Sequence, residues 1–319
     1  MQSDFRSLIK KIVGFSIRNI PHIADGFKQG LTVFVFHDVS DQPSRFASQY
    51  SLSVLLSTFR QQCLWIQDHY NVIHPADLLT SDPLPPQAAM ISFDDGFLGT
   101  FENGLAILDE LKLPSVVFLN MNAILNQDPI ISATACYLAN HVPQFRDFAD
   151  SVHLKAPFHL TLTPSILRRF EDSYGQLDYD AIRNYQGTFA DIRILQKWDG
   201  RPLVVFGNHL YEHWNAVALS IEEFQDQYLK NEAALSQLES YINLFAFTNG
   251  QPDLCFSKRE ISVLTKLGAN RIFSSYGGVN LNPNDSFLLG RVGLSETDSD
   301  RDRLFFRIAR ASLNSRKMQ

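Results

Sequence analysis

Short apolar runs and amphipathic stretches alternate along most of this chain. Leu31–Phe36 is β-branched and aromatic, reads as a first strand, and ends in His37-Asp38. Over residues 54–70 the apolar positions Leu55, Phe59, Trp65 and Ile66 predict a helix, and Asn71–Ile73 is a short strand. A stiff connector, Pro83-Leu84-Pro85-Pro86, leads to Ala88–Phe93. This apolar run stops abruptly at two carboxylates and a glycine, Asp94-Asp95-Gly96. Leu105, Leu108 and Leu111 predict a helix over 101–112, closed by Pro114, and Ser115–Leu119 is the next strand. The alternation resumes at the strand Pro202–Phe206 and a long helix opened by Ser220 and Glu223 in capping-box spacing. After the strand Leu244–Phe247, Ser257 and Glu260 repeat that spacing, and Gly268 stops their helix. Arg271–Phe273 and Phe287–Leu289 read as the last strands.

Repeated strand–helix units imply a parallel sheet, open or closed into a barrel, with the C-terminal strand tips on one face. Residues 120–202 break the rhythm. The stretch is too long for a plain loop and predicts a partly helical insertion that walls or caps a cleft. Near the start, Phe5, Leu8, Ile9, Ile12 and Val13 repeat at helical spacing among Arg6, Lys10, Lys11 and Arg18. Such a basic amphipathic helix lies on a membrane surface or, more commonly, packs on its own domain. The expected organisation is a helix within 1–30, a main domain over 31–298 that carries the 120–202 insertion, and a charge-rich tail, 299–319, forming a surface helix.

The 319 residues suffice for one large domain, and 45% hydrophobic with 19% charged residues is ordinary for a globular protein. A net charge of -6 without a long basic run argues against nucleic acid as a partner. The three cysteines, Cys63, Cys136 and Cys255, are too scattered for a disulfide framework or a Cys-rich zinc site. No apolar run approaches the roughly 18–20 residues of a membrane span. Met1-Gln2-Ser3-Asp4-Phe5 lacks a signal-peptide pattern. The expectation is a cytoplasmic protein, peripheral to the inner membrane face through residues 5–20.

Polar groups fall at four strand tips: His37-Asp38, Asp94-Asp95, Gly207 to His213, and Thr248-Asn249-Gly250. Adjacent carboxylates repel, so a site that keeps both holds a cation or a proton. The plain alternative for Asp94-Asp95-Gly96 is a helix cap and tight turn. His209 and His213 are four apart, and on a helical turn both rings would share one face and suit one metal. Two histidines on a surface helix are the alternative. Together with one Asp they would form a facial triad with open positions; zinc suits this set best, with cobalt, nickel or iron as alternatives.

The ordered pair Ser92-Phe93-Asp94-Asp95-Gly96 and Asn208-His209-Leu210-Tyr211-Glu212-His213 resembles the (T/S)FDDG and H-x-x-x-H motifs of the polysaccharide deacetylase family (NodB-homology domain, carbohydrate esterase family four). Two ordered motifs are far more specific than either alone. Phe245-Ala246-Phe247 with Thr248-Asn249-Gly250 resembles a third motif, which forms one cleft wall. The resemblance spans roughly residues 31–295, with 120–202 as an insertion. It implies an irregular (β/α) barrel that removes an acetyl group from an N-acetylated sugar or polysaccharide, less often an O-acetylated one. By the same resemblance Asp95, His209 and His213 bind a divalent metal, and Asp94 is the general base for a water that the metal activates. A backbone N–H near Thr248–Gly250 would help to stabilise the oxyanion.

Two departures stand out. No histidine follows His213, so the late Leu-x-His that commonly supplies the general acid is missing. His37 would supply it, as in the branch with rearranged motif order that includes poly-N-acetylglucosamine deacetylases; a structural histidine is the alternative. The usual arginine of the third motif is also absent, and Arg291, expected just after a late strand, would pair with Asp94 and keep it ionised; a surface arginine is the alternative. A lipid-linked sugar at the inner leaflet would suit the basic N-terminal helix. The scaffold also admits a non-catalytic glycan-binding module or a hydrolase of another amide or ester. Retention of all three ligands and Asp94 favours catalysis.

Overall fold

The computed structural model describes residues 2–20, 26 and 28–317. Its centre is a ring of seven parallel strands: β1 Leu31–Phe36, β2 Ala88–Phe93, β3 Ser115–Leu119, β4 Val204–Asn208, β5 Tyr241–Ala246, β6 Arg271–Ser274 and β7 Leu288–Gly293. Neighbours pair in chain order, and β1 closes the ring by pairing with both β7 and β2. The β1–β2 register runs from Leu31 opposite Ala88 to Phe36 opposite Phe93. The barrel is irregular: the register slips on β4–β5 between Phe206 and Asn208, and a short strand, Asn71–Val72, pairs with the first residues of β2.

Alternation along each strand explains why the sequence runs are apolar throughout. Leu31, Val33, Ala88, Met90, Val116, Phe118, Leu244, Ala246 and Leu289 share one buried cluster that fills the barrel. The intervening Phe34, Phe36, Ile91, Phe93, Val117 and Leu119 pack in another, beneath the helices. Arg291 has the inward parity of Leu289. It lies within β7 rather than after a strand, is 1% exposed, and holds its guanidinium 5.5 Å from the Phe118 ring centroid.

The main helices are α1 Gln2–Arg18, α2 Leu56–His69, α3 Leu105–Leu111, α4 Ile131–His141, α5 Ile221–Leu235, α6 Lys258–Lys266 and α7 Arg301–Lys317. Ser220 and Ser257 cap α5 and α6 with reciprocal capping boxes, and Gly268 follows α6 with φ +87°. The tail expected at the surface is not peripheral. Leu304, Phe305, Ile308 and Ala311 of α7 enter the largest core cluster, with Phe305 edge-on to Trp65 at 5.4 Å. Their helical spacing is masked in the sequence by arginines on the outer face. α1 packs along α7; the side chains of Phe5 and Arg6 lie outside the described residues. Among the described residues no helix is long and apolar enough to cross a membrane.

Between Met121 and Trp198 the chain forms seven helices, so the insertion is more helical than its sequence suggested. Each is short, and prolines and glycines punctuate them. Pro143 and Pro164 open two, Gly175 ends the one that Pro164 opens, and Gly187 ends the next. Phe145, Phe148 and Phe170 hold them together edge to face.

Candidate active site

Asp94 and Asp95 leave β2 in different directions. The Asp94 N–H donates to Phe36 O at 3.0 Å, extending the β1–β2 ladder by one residue. Asp95 then turns left-handed (φ +73°), and Gly96 follows at φ +108°, a conformation that favours glycine. Asp94 meets Arg291 bidentately, Nη1 to Oδ1 at 2.6 Å and Nη2 to Oδ2 at 2.8 Å. Burial pushes the Asp94 carboxyl up, but Arg291, with His209 and His37, outweighs it and holds the group below its ordinary value. Asp95 points instead at the histidines. Burial again pushes upward, and His213 and His209 pull the carboxyl well below its usual range.

His209 and His213 do not sit on a helical turn. They lie in an irregular loop after β4, with Leu210 and His213 in left-handed conformation. Side-chain amides replace helical hydrogen bonds here. Asn120 Nδ2 donates to His209 O (2.5 Å) and Leu210 O (2.9 Å), and Leu210 N–H donates to Asn208 Oδ1 (3.0 Å). The loop still brings the two rings to a centroid distance of 5.1 Å. Among the described residues, four of the ten non-glycine residues with positive φ, namely Asp95, Leu210, His213 and Asn249, belong to this one site. Such conformations persist where surrounding structure over-determines them, often at functional sites.

The donor set fits a metal ion. His209 Nδ1 lies 2.8 Å from Ala246 O, a group that can only accept, so the ring carries its proton there and turns a lone pair on Nε2 towards Asp95. His213 Nδ1 pairs with Ser132 Oγ at 2.8 Å. The two Nε2 atoms lie 3.4 and 3.1 Å from Asp95 Oδ1. That buried oxygen accepts no hydrogen bond. Lone pairs facing a buried carboxylate oxygen are unfavourable unless a cation lies between them. The spacings match two ligands of one ion bonded at about 2.0–2.2 Å each.

Comparison with known proteins agrees. The sequence profile of the family described as polysaccharide deacetylase matches residues 81–272, more than half of the chain. The chain belongs to the polysaccharide deacetylase family. Members of this family are hydrolases. IcaB from Ammonifex degensii superposes with a TM-score of 0.57 at 15% identity, over 88% of this chain and 97% of that one. The Streptococcus pyogenes deacetylase PplD gives 0.55 at 11% identity, over 88% and 98%. A de-N-acetylase from Aggregatibacter actinomycetemcomitans gives 0.53 at 16%, over 86% and 99%. At these identities the structures speak for the shared barrel fold. No curated protein matches the sequence significantly.

In this deacetylase the site opens into a cavity of about 350 Å³. His37 lines it, 29% exposed, with Nε2 3.9 Å from Asp94 Oδ2. Burial, only partly offset by Asp95 and Asp94, holds the His37 imidazole below its usual value. The turn after β5 divides its residues differently from the sequence expectation. Thr248 is buried and donates its hydroxyl to Trp214 O (2.5 Å), and the Gly250 N–H is taken by Thr248 O (2.6 Å). Asn249 lines the cavity, and its Nδ2 has no hydrogen-bond partner.

Sequence reasoning missed five side chains that line the cavity. Ser132, Cys136 and His159 reach the cavity from the insertion, with Cys136 Sγ 4.0 Å from His159 Nδ1. Tyr50, after the short helix Arg45–Gln49, and Ser275, after β6, complete the wall. Only Ser275 carried a signal, its place just past a strand end.

Proposed function

We propose that this deacetylase hydrolyses the acetamide of an N-acetylated sugar in a polysaccharide or glycan precursor, releasing acetate and a free amine. The observation that carries the reading is the divergent carboxylate pair: Asp95 faces two imidazole nitrogens, and Asp94 is gripped by Arg291. Asp95, His209 and His213 would hold a divalent ion, with zinc the best match to two nitrogens and one oxygen, ahead of cobalt, nickel or iron. A divalent ion at that position lowers the pKa of water and polarises a carbonyl oxygen. Asp94 takes a proton from the attacking water, and Arg291 keeps Asp94 ionised for that task. His37, which lines the cavity with Nε2 3.9 Å from Asp94 Oδ2, protonates the departing amine. Asn249, with an unspent N–H, is the member of the β5 turn available to the acyl oxygen or the sugar. Arg291 thus serves the base, while Thr248 and Gly250 shape the wall.

A substrate carried on a lipid at the cytoplasmic membrane face suits the basic N-terminal helix. The free, buried Cys63, Cys136 and Cys255 agree with a reducing compartment. The test is to incubate zinc-loaded protein with an N-acetylglucosamine oligomer and to measure acetate and free amine. Equal release is expected. Asp94→Asn should keep one bound metal and lose about 10²- to 10⁴-fold in turnover, the usual scale for a lost general base. Full turnover in that variant removes Asp94 as the base. Tight oligomer binding without release would favour a glycan-binding module, and acetate without amine would indicate an ester substrate.

A further inference from the structure

We propose that α1 is a docking helix whose outward face enters an anionic lipid surface. The inference stands apart from the chemistry of the cleft. α1 is fixed to the domain by its polar and small side. Gly14 lies so close to Asp302 O that any Cβ would overlap it. Lys11 pairs with Asp300 at 3.0 Å, Arg18 with Asp302 at 3.1 Å, and Arg303 donates to Ser7 Oγ at 2.5 Å. Among the described apolar side chains of α1, only Ile17 packs on the main core.

The other side is apolar and bare. Leu8, Ile12 and Phe15, one turn apart, are 54%, 56% and 53% exposed, and Ile9 and Val13 beside them are exposed as well. This inverts the usual arrangement, in which an amphipathic helix turns its apolar stripe to its own core. Hydrophobic residues scattered singly over a surface need no explanation, but a contiguous stripe does.

Charge selects the occupant. At about 100° per residue, Lys11 and Arg18 flank one edge of the stripe and Lys10 the other. Lys10 has no ion-pair partner among the described residues. Residues 7–18 contain no acid, although the whole chain carries a net charge of -6. Cations along both edges of an apolar stripe suit a bilayer, where their stems follow the apolar surface and their heads reach anionic headgroups. A second copy of this chain fits less well: Lys11 and Arg18 are already offset by Asp300 and Asp302, and the stripe itself offers no acid for the Lys10 of a second copy. α1 contacts the first turn of α7, which follows β7 and its cleft-lining Gly293 by a short connection.

The test is co-sedimentation of the full chain with phosphatidylcholine vesicles containing about 30% phosphatidylglycerol, set against phosphatidylcholine alone. Binding is expected to the anionic vesicles and at least ~10-fold weaker binding to the neutral ones. Ile12→Asp should weaken binding ~10-fold or more with an unchanged thermal midpoint; Ile12→Ser should weaken it less and guards against misfolding. Wild-type protein that stays in the supernatant overturns the proposal. So do Ile12 variants that bind like wild type, or a wild-type dimer that Ile12→Asp splits into monomers. Vesicle binding is read without turnover, so its failure is distinct from failure of the deacetylase reading.

Discussion

The two sides of the cleft are built from different materials. On the strand side the groups are charged or proposed metal ligands and held by short contacts: Asp94 by Arg291, His209 by Ala246 O, Asp95 between two rings. The helical side, from Phe46, Tyr50, Leu52, Ile130, Cys136 and His159, has no carboxylate or guanidinium lining the cavity among the described residues. Ser132 joins the two sides through its side chain, at His213, beside the backbone bond from Ile131 N–H to Glu212 O. Strand tips fixed by a closed barrel can hold atoms to the tolerance that bond-breaking requires. Short helices packed by phenylalanines can offer an adaptable apolar and aromatic wall to a sugar face. The difference predicts that damage to the strand side removes chemistry and stability, whereas damage to the helical side alters binding.

Arg291→Met should have the largest effect. It leaves Asp94 buried without its main cation, and breaking a buried pair costs about 3–5 kcal/mol, measurable as a lower urea midpoint. The pH dependence should invert. In the native protein the Asp94 carboxyl lies below its ordinary value. Its contribution to stability is therefore present above about pH 4 and is lost as pH falls through the lowered value. Without Arg291, burial becomes the stronger influence and raises the group. The contribution is then fully present below about pH 4 and is lost as pH rises through the raised value. The acid limb of the rate profile should move to higher pH with it. Adding Asp94→Asn to Arg291→Met should restore part of the lost stability, because no buried charge then lacks a partner. A double variant no more stable than Arg291→Met would show that Arg291 acts by filling the barrel rather than through its charge.

The same division governs what the sequence reveals. Parallel strands buried on both faces leave unbroken apolar runs, so Leu31–Phe36 and Ala88–Phe93 were legible, and with them the carboxylates at the tip. The histidine pair was legible as a spacing but not as a conformation: four residues suggested a helical turn, and Asn120 and Asn208 instead hold a loop with left-handed Leu210 and His213. Arg291 was expected past a strand because a charged residue breaks an apolar run; it stands inside the barrel since Asp94 compensates it there. Nothing local marks Ser132 or His159. Their roles arise from how short helices of the insertion stack, and no periodicity within 120–202 encodes that. Thr248 looked like a cleft residue for its place after β5, yet its hydroxyl is spent on Trp214 O.

Ser132→Ala tests the side-chain contact between the helical side and His213. Removing the hydroxyl frees the His213 ring to rotate and to change its protonated nitrogen. Loss of a group that orients a metal-ligating histidine typically lowers metal affinity 10- to 100-fold. Competition with a chelator should register that loss, while turnover at saturating zinc falls less. Unchanged affinity would mean that packing alone orients His213.

The smallest effect is expected for His159→Leu. His159 reaches the cavity from the insertion, beside Cys136 and the Tyr50 ring, and makes no ion pair among the described residues. If the helical wall only recognises substrate, the variant loses one neutral hydrogen bond, about 0.5–1.5 kcal/mol, equivalent to roughly a 2- to 12-fold rise in KM. Its kcat and zinc affinity should stay within about twofold, because interactions made equally in the ground and transition states alter KM alone. A fall in kcat with KM unchanged would place His159 among the groups that move protons. The amine would then have a second source of its proton besides His37, and the division between a chemical wall and a binding wall would fail at that residue.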